Sequence, residues 1–241
     1  MLSFLRPRRP VKIASPLTTD IHSHLLTGLD DGVKSLEDAL VIIRTFQELG
    51  YKKLITTPHI IQDYYRNTPA LITQGLVDLN AYLDKQSIKF EIQAAAEYYL
   101  DEELIRKVES REALLTFGDH YILFETNMIT EPYPLNDFIF KITSAGYRPV
   151  LAHPERYAYM NLEKAEDLRD RGVLFQMNIL SIIGYYSKPI QKMANKLIDQ
   201  GWVDLLGSDC HHLEHVQLIE YARKNRSFQK ALDLPLLNNT L

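Results

Sequence analysis

Six apolar runs in this chain each stop at a histidine or a carboxylate: His22, His59, Glu97, Glu125, His153 and Asp209. Short β-prone stretches over 18–22, 54–57, 90–95, 121–124, 149–152, 173–177 and 203–206 alternate with segments of helical periodicity. Ser35 and Thr68-Pro69 open two of those helices. Others are expected over 101–108, 135–145, 162–171 and 187–200, and from about 214 onward, with a tail from Leu234. Such alternation predicts a parallel sheet with right-handed crossovers. Polar groups at the C-terminal ends of strands converge on one mouth in a (β/α) barrel, whereas an open doubly wound sheet spreads them along an edge. Six such ends favour a seven-stranded barrel. No Gly-rich phosphate loop is present.

The composition narrows the class. At 241 residues and 46% apolar, the chain suits one large domain, expected over 17–241. Residues 1–16, with Arg6, Arg8 and Arg9, read as a basic extension lacking a signal-peptide core. A net charge of −4 argues against nucleic acid as partner. No apolar run reaches the ~18 residues of a membrane span, so no integral membrane protein is expected. Cys210 is the sole cysteine, which rules out an internal disulfide and fits a reducing compartment.

His22 and His24 stand two apart, so on a strand both imidazoles face one side. Alone they could be an ordinary polar pair. With Asp31, His59, Glu97, Glu125, His153, Asp209 and His211 they make five imidazoles and four carboxylates, too many for one ion. The set suits two or three divalent ions with one carboxylate bridging. Four carboxylates leave three such ions a positive balance, which attracts an anion such as phosphate. Arg156, three residues past His153, could hold phosphate oxygens, or pair with Glu155 or Glu163. Glu125 closes a buried run, where an unpaired carboxylate is costly. His120 and His212 read as structural, His215 as structural or lining the mouth, and Cys210 as a bystander or a thiolate ligand.

The motifs Asp20-Ile-His-Ser-His24, Asp30-Asp31-Gly32, Thr57-Pro-His59, Ala96-Glu97-Tyr98-Tyr99, Phe124-Glu125, Ala152-His-Pro-Glu-Arg156-Tyr157 and Gly207-Ser-Asp209-Cys-His211 occur in that order. In them the chain resembles the polymerase and histidinol phosphatase (PHP) superfamily, specifically its bacterial tyrosine-protein phosphatases of the CpsB/YwqE type. The resemblance implies a distorted (β/α)7 barrel holding three divalent ions, Mn2+ favoured, with Fe or Zn2+ as alternatives. His22, His24, Glu97 and Asp209 would bind one ion; Glu97, Glu125 and His153 a second; Asp31, His59 and His211 the third. Arg156 would hold phosphate, attacked directly by a metal-bound hydroxide. The implied substrate is the phosphotyrosine tail of a bacterial tyrosine kinase controlling capsule or exopolysaccharide synthesis, and the implied location cytoplasmic.

Asp30 reads as a turn residue or a support for a ligand, and Tyr98, Tyr99 and Tyr157 as contacts for the aromatic leaving group. The family carries a second arginine after its last Asp-x-His; here none follows until Arg223, leaving His215 as the candidate phosphate contact. The cysteine-dependent tyrosine phosphatases, which need arginine six residues after cysteine, are excluded, because Val216 stands there. Two other activities fit the motifs: a small-molecule phosphoesterase of histidinol-phosphatase type, and a non-catalytic kinase-binding adaptor.

Overall fold

The computed structural model describes residues 17–241; the expected extension over 1–16 lies outside them. The strands are β1 (Thr19–Asp20), β2 (Lys53–Thr56), β3 (His59–Ile60), β4 (Glu91–Ala94), β5 (Glu97–Tyr99), β6 (Tyr121–Glu125), β7 (Arg148–Ala152), β8 (Leu174–Asn178) and β9 (Leu205–Gly207). All ladder pairs are parallel, in the orders β1-β2-β4 and β3-β5-β6-β7-β8-β9.

Two expected strands are broken in the middle. Pro58 has no amide hydrogen, so β2 stops before it and β3 resumes after it. β4 and β5 split alongside, and Glu97 N still donates to Pro58 O at 3.2 Å. Counting each broken pair once leaves seven strands. A parallel bridge joins Ser23 to Cys210. Asp209 N donates to His22 O (2.8 Å) and His24 N to Cys210 O (2.9 Å), linking the last strand to the first. The fold is the expected (β/α)7 barrel.

Around it lie α1 (Leu36–Glu48), α2 (Pro69–Lys85), α3 (Glu102–Glu109), α4 (Leu135–Ser144), α5 (Leu162–Asp170), α6 (Ile179–Ile183), α7 (Lys188–Gln200), α8 (Leu213–Ala222) and α9 (Arg226–Leu232). Side chains of Ser35, Thr68, Asp101, Asn161 and Ser187 cap α1, α2, α3, α5 and α7 by accepting from a first-turn amide. Each such cap contributes about 1 kcal/mol. Helices α6 and α9 were not foreseen.

Inside the barrel, period-two alternation stacks apolar below polar. Ile55, Ala95, Leu123 and Leu205 pack in an inner cluster with Ile21, Val150, Ala152, Phe117 and Tyr121. Two or four residues further along the same strand directions stand Glu97, Glu125 and Asp209. A second, larger cluster fills the layer between strands and helices.

The tail expected from Leu234 is instead part of the barrel. Leu236 is buried, and 237–240 form a 3-10 turn against the base. Asn238 is fully buried; its Oδ1 accepts from Leu206 N (2.9 Å), and its Nδ2 donates to Leu206 O (2.7 Å) and Thr19 O (3.0 Å). One side-chain amide thus pairs backbone groups of β1 and β9 that would otherwise be orphaned.

Candidate metal centre

His22 and His24 meet at the mouth with ring centroids 5.4 Å apart. Each has one nitrogen committed away from the cavity. His22 Nδ1 donates to Gln176 Oε1 (2.7 Å) and His24 Nδ1 to Asp30 Oδ2 (2.7 Å). Their Nε2 atoms therefore face carboxylates. His22 Nε2 lies 3.1 Å from Glu97 Oε2, and both Nε2 atoms lie 3.5 Å from Asp209 Oδ1. His211 repeats the arrangement, with Nδ1 donating to Asp209 O (3.0 Å) and Nε2 3.4 Å from Asp31 Oδ1.

His59 sits between two groups. Its Nδ1 is 3.1 Å from both Glu97 Oε2 and Glu125 Oε1, and its Nε2 is 3.7 Å from Asp31 Oδ1. His153 Nε2 lies 3.1 Å from Glu97 Oε1 and 3.9 Å from Glu125 Oε2. All nine candidate residues thus meet in one place. Three overlapping sets bring their ligand atoms within 4.8 Å of one another: His24, Asp31, His59 and His211; His22, His24 and Asp209; His59, Glu97 and Glu125.

A lone pair pointing at a carboxylate oxygen is repulsive unless a proton or a metal ion lies between. Either can do this work, and the carboxylates favour the protons strongly. Burial lowers the pKa of His22, but Glu97 and Asp209 outweigh it and raise the pKa to about 9. Burial opposes protonation of His59 as well, yet Glu97 and Glu125 raise its pKa to about 10. Glu97 and Asp209 are held well below the usual carboxylate range, against their burial, with His22 the largest favourable cause for each. His24 Nε2 and His59 Nδ1 are buried without a hydrogen-bond partner among the described residues. Fixed tautomers, orphaned nitrogens and converging carboxylates fit divalent cations.

The backbone has been shaped to bring these groups together. A Cβ on Gly32 would stand 2.1 Å from His24 O and 2.6 Å from His24 Cβ. One on Gly207 would meet Gln176 Nε2 at 2.6 Å and His22 Cβ at 2.7 Å. His153 (φ 34°) and Asp209 (φ 51°) take left-handed conformations that cost about 1–3 kcal/mol each and aim their side chains across the mouth.

Asp30 acts as a support. Beyond His24, it accepts from Gly32 N (2.9 Å) and His59 N (3.0 Å), tying three ligand-bearing segments together. Sequence reasoning missed Gln176 and Asn178. Asn178 Nδ2 donates to Asp209 Oδ2 at 2.7 Å and Gln176 Nε2 to Asn178 Oδ1 at 2.9 Å, so both amides position ligands. They sit at the inward face of β8's C-terminal end, and the strand-end rule applied to amides would have found them. Asp20, also missed, accepts from Ser208 N (2.7 Å) and Oγ (2.8 Å), which fixes the turn before Asp209.

Arg156 pairs with Asp209, not with Glu155 or Glu163: Nη1 donates to Oδ2 at 2.9 Å. Its guanidinium lies 4.5 Å from the Tyr186 ring centroid. Glu155 is buried and accepts from Asn178 N and Ser181 Oγ. A cavity of about 500 Å³ opens here, lined by Tyr65, Met128, Arg156, Tyr186 and the ligand candidates.

Four expectations are corrected. Tyr98 alternates away from Glu97, is buried, and accepts from Leu115 N at 2.8 Å, so it cannot reach the cavity. Tyr157 is buried behind His153, with its hydroxyl accepting from Thr126 N at 3.2 Å. His215 lines the cavity but is no cation, because burial and neighbouring His212 lower its pKa to about 4. Its Nδ1 lies 3.1 Å from Asp209 O and 3.3 Å from His211 N, and its Nε2 3.2 Å from the Tyr185 hydroxyl. Tyr99 is half-buried beside the cavity rather than in its lining. Cys210 is fully buried and its thiol pKa is pushed well up by burial, the behaviour of a bystander.

Among the described residues no helix is long and apolar enough to cross a membrane. The chain is similar to CapC of Staphylococcus aureus, 25% identical over 92% of this chain and 89% of that one. It is 27% identical to the tyrosine-protein phosphatase YwqE of Bacillus subtilis, over 81% and 78% of the two chains. A solved structure from work on B. subtilis YwqE and Streptococcus pneumoniae CpsB, described as metal-dependent tyrosine phosphatases, superposes with a TM-score of 0.81 at 26% identity, covering 92% of this chain and 93% of that one. The model of the capsular polysaccharide synthesis family CpsB/CapC matches residues 18–220, and the chain belongs to that family.

Proposed function

We propose that this chain is a metal-dependent protein tyrosine phosphatase. The reading also makes residues 17–241 one catalytic unit with 1–16 as an extension. The observation that carries it is the ring of imidazole nitrogens and carboxylates facing one another beside Arg156. We assign His22, His24, Glu97 and Asp209 to one ion, Glu97, Glu125 and His153 to a second, and Asp31, His59 and His211 to a third. His59 Nδ1 also faces the second set. Mn2+ is favoured, and Fe or Zn2+ would suit the same donors. Bound together, divalent ions would acidify water and draw charge from phosphoryl oxygens.

The chain's own residues do the rest. Gln176, Asp30 and the Asp209 carbonyl hold the Nδ1–H tautomers of His22, His24 and His211, keeping each Nε2 free. Arg156, steadied by Asp209 and the Tyr186 ring, receives phosphate oxygens and offsets their charge as it grows. Tyr65 and Tyr186 provide aromatic walls for the phenyl ring of the substrate. A phenol has a pKa of ~10, so the leaving phenolate needs less protonation than an alkoxide would, and no dedicated acid is required. Buried Cys210 offers no accessible thiolate, and we assign direct transfer of the phosphoryl group to water. The substrate we assign is the phosphotyrosine tail of a bacterial tyrosine kinase in capsule or exopolysaccharide synthesis, and with it a cytoplasmic site of action.

The test is turnover of a phosphotyrosine peptide, with histidinol phosphate alongside. The expected result is Mn2+-dependent hydrolysis of the peptide that stops on chelation, with a much smaller kcat/KM on histidinol phosphate. Hydrolysis indifferent to chelation, or none with metal restored, overturns the proposal.

A further inference from the structure

Two turns at the mouth hold large apolar side chains out in water. The first spans 61–65 and is closed by backbone bonds from Ile61 N to Tyr65 O and from Tyr65 N to Ile61 O, both 2.9 Å. Tyr65 turns inward and stacks on His59, with 5.6 Å between ring centroids. Its neighbour Tyr64 turns outward and is 82% exposed. The second turn follows β6. Met128 lines the cavity there, while Ile129 is 74% exposed and Tyr133 fully so.

Neither turn is loosely held. Asn127 Oδ1 accepts from Ile129 N (2.8 Å) and Thr130 N (3.0 Å), and Ala158 N donates to Met128 O at 2.8 Å. Lys164 pairs with Glu131 at 2.5 Å. The strands that launch the turns, β3 and β6, flank β5. Each turn therefore sends one residue into the cavity and its neighbour into solvent on the cavity's edge. A main chain braced in this way has little freedom left to lose when a partner covers the side chains it carries. Tyr in such a position is a frequent anchor of recognition.

The occupant follows from the chemistry of the cavity, and the inference rests on the phosphatase reading above. A phosphotyrosine whose phosphate reaches Arg156 keeps its own main chain one side-chain length above that point. The residues on either side of it must then cross the rim. We infer that Tyr64, Ile129 and Tyr133 form a rim that selects phosphotyrosine segments with apolar side chains beside the phosphotyrosine.

The experiment uses the full chain loaded with Mn2+ and two labelled peptides, Leu-flanked and Ser-flanked, bearing a non-hydrolysable phosphonate in place of the phosphate. Binding is read by fluorescence anisotropy, and kcat/KM is measured on the phosphorylated counterparts. Partial burial of two leucine side chains against the rim should make the Leu peptide bind roughly tenfold tighter. The triple variant Tyr64→Ser, Ile129→Ser, Tyr133→Ser should bring that ratio close to one with Tm unchanged. Each single variant should lower it part of the way, which covers a triple variant that folds poorly. A wild-type ratio of one, or a ratio that survives the substitutions, overturns the inference. Rim-dependent binding without turnover upholds the rim and overturns the phosphatase reading. Turnover that ignores the flanking residues overturns the rim alone.

Discussion

The same strands end in two opposite kinds of structure. At the base, Phe117, Tyr121, Leu237 and Leu241 pack against the inner apolar cluster, and Asn238 satisfies three backbone groups with one amide. At the mouth, two to four residues further along those strands, imidazoles and carboxylates crowd together with His24 Nε2 and His59 Nδ1 unsatisfied. The Asn238 amide at the base is fully paired and holds the ring shut. The mouth crowds imidazoles against carboxylates and bends His153 and Asp209 into left-handed backbone to do so. The base stabilises the barrel so that the mouth can remain strained and electrostatically unfinished, which is the condition for binding cations and a phosphate.

The contrast is broken most severely by altering Glu97, whose two oxygens face His22 on one side and His153 on the other. Glu97→Gln should lower kcat/KM by a factor of ~10³ or more, equivalent to ~4 kcal/mol of lost stabilisation of the reacting phosphate. Bound metal per chain, read by elemental analysis, should fall with it, and Tm should fall as the stabilising cations are lost. Asp30→Asn leaves every ligand in place and loosens only their support. A loss of ~10- to 100-fold in metal affinity is expected, recovered at high Mn2+. Activity that stays low at saturating metal would show that Asp30 does more than orient His24 and His59.

Acid–base behaviour separates the two ends further. The pKa values of His22 and His59 rise from the ordinary 6.5 to about 9 and about 10 when the metal-free chain folds. A group whose pKa is raised by folding stabilises fully below its unfolded value and loses that stabilisation as pH climbs through the folded one. Chelated protein should therefore lose Tm steadily between pH 6.5 and about 10. Metal-loaded protein should not, because cations replace those protons. Equal pH dependence with and without metal would mean that the mouth is not a cation site.

Much of this was legible in the residues, for an identifiable reason. A carboxylate or imidazole at the end of a buried strand has no good structural explanation, so His22, His59, Glu97, Glu125, His153 and Asp209 stood out. Gln176 and Asn178 did not, because uncharged amides at alternating positions read as an ordinary strand. Asn238 falls in the expected tail until the backbone groups of Leu206 and Thr19 are placed around it. Residues 179–183 fall between the strand expected over 173–177 and the helix expected over 187–200, and only the packed structure turns them into a short helix. Tyr98 and Tyr99 look equivalent in sequence; the phase of β5 sends one into the core and leaves the other near the rim.

The smaller tests compare positioning with closure. Tyr186 stacks under the Arg156 guanidinium, and its hydroxyl lies 3.1 Å from Asn178 Nδ2 and 3.4 Å from Asp209 Oδ2. Tyr186→Leu removes the ring and should raise KM by roughly tenfold, the scale of a partly desolvated cation–π contact of ~1–2 kcal/mol. Tyr186→Phe keeps the ring and should change KM by less than about threefold. At the base, Asn238→Ala should destabilise the fold by ~1–3 kcal/mol, because it orphans buried backbone groups of β1 and β9. The surviving folded protein should keep its metal and its kcat/KM. If Asn238→Ala instead lowers turnover per folded molecule, base and mouth are coupled through the short strands β1 and β9, and closure of the ring is itself part of how His22 and Asp209 are aimed.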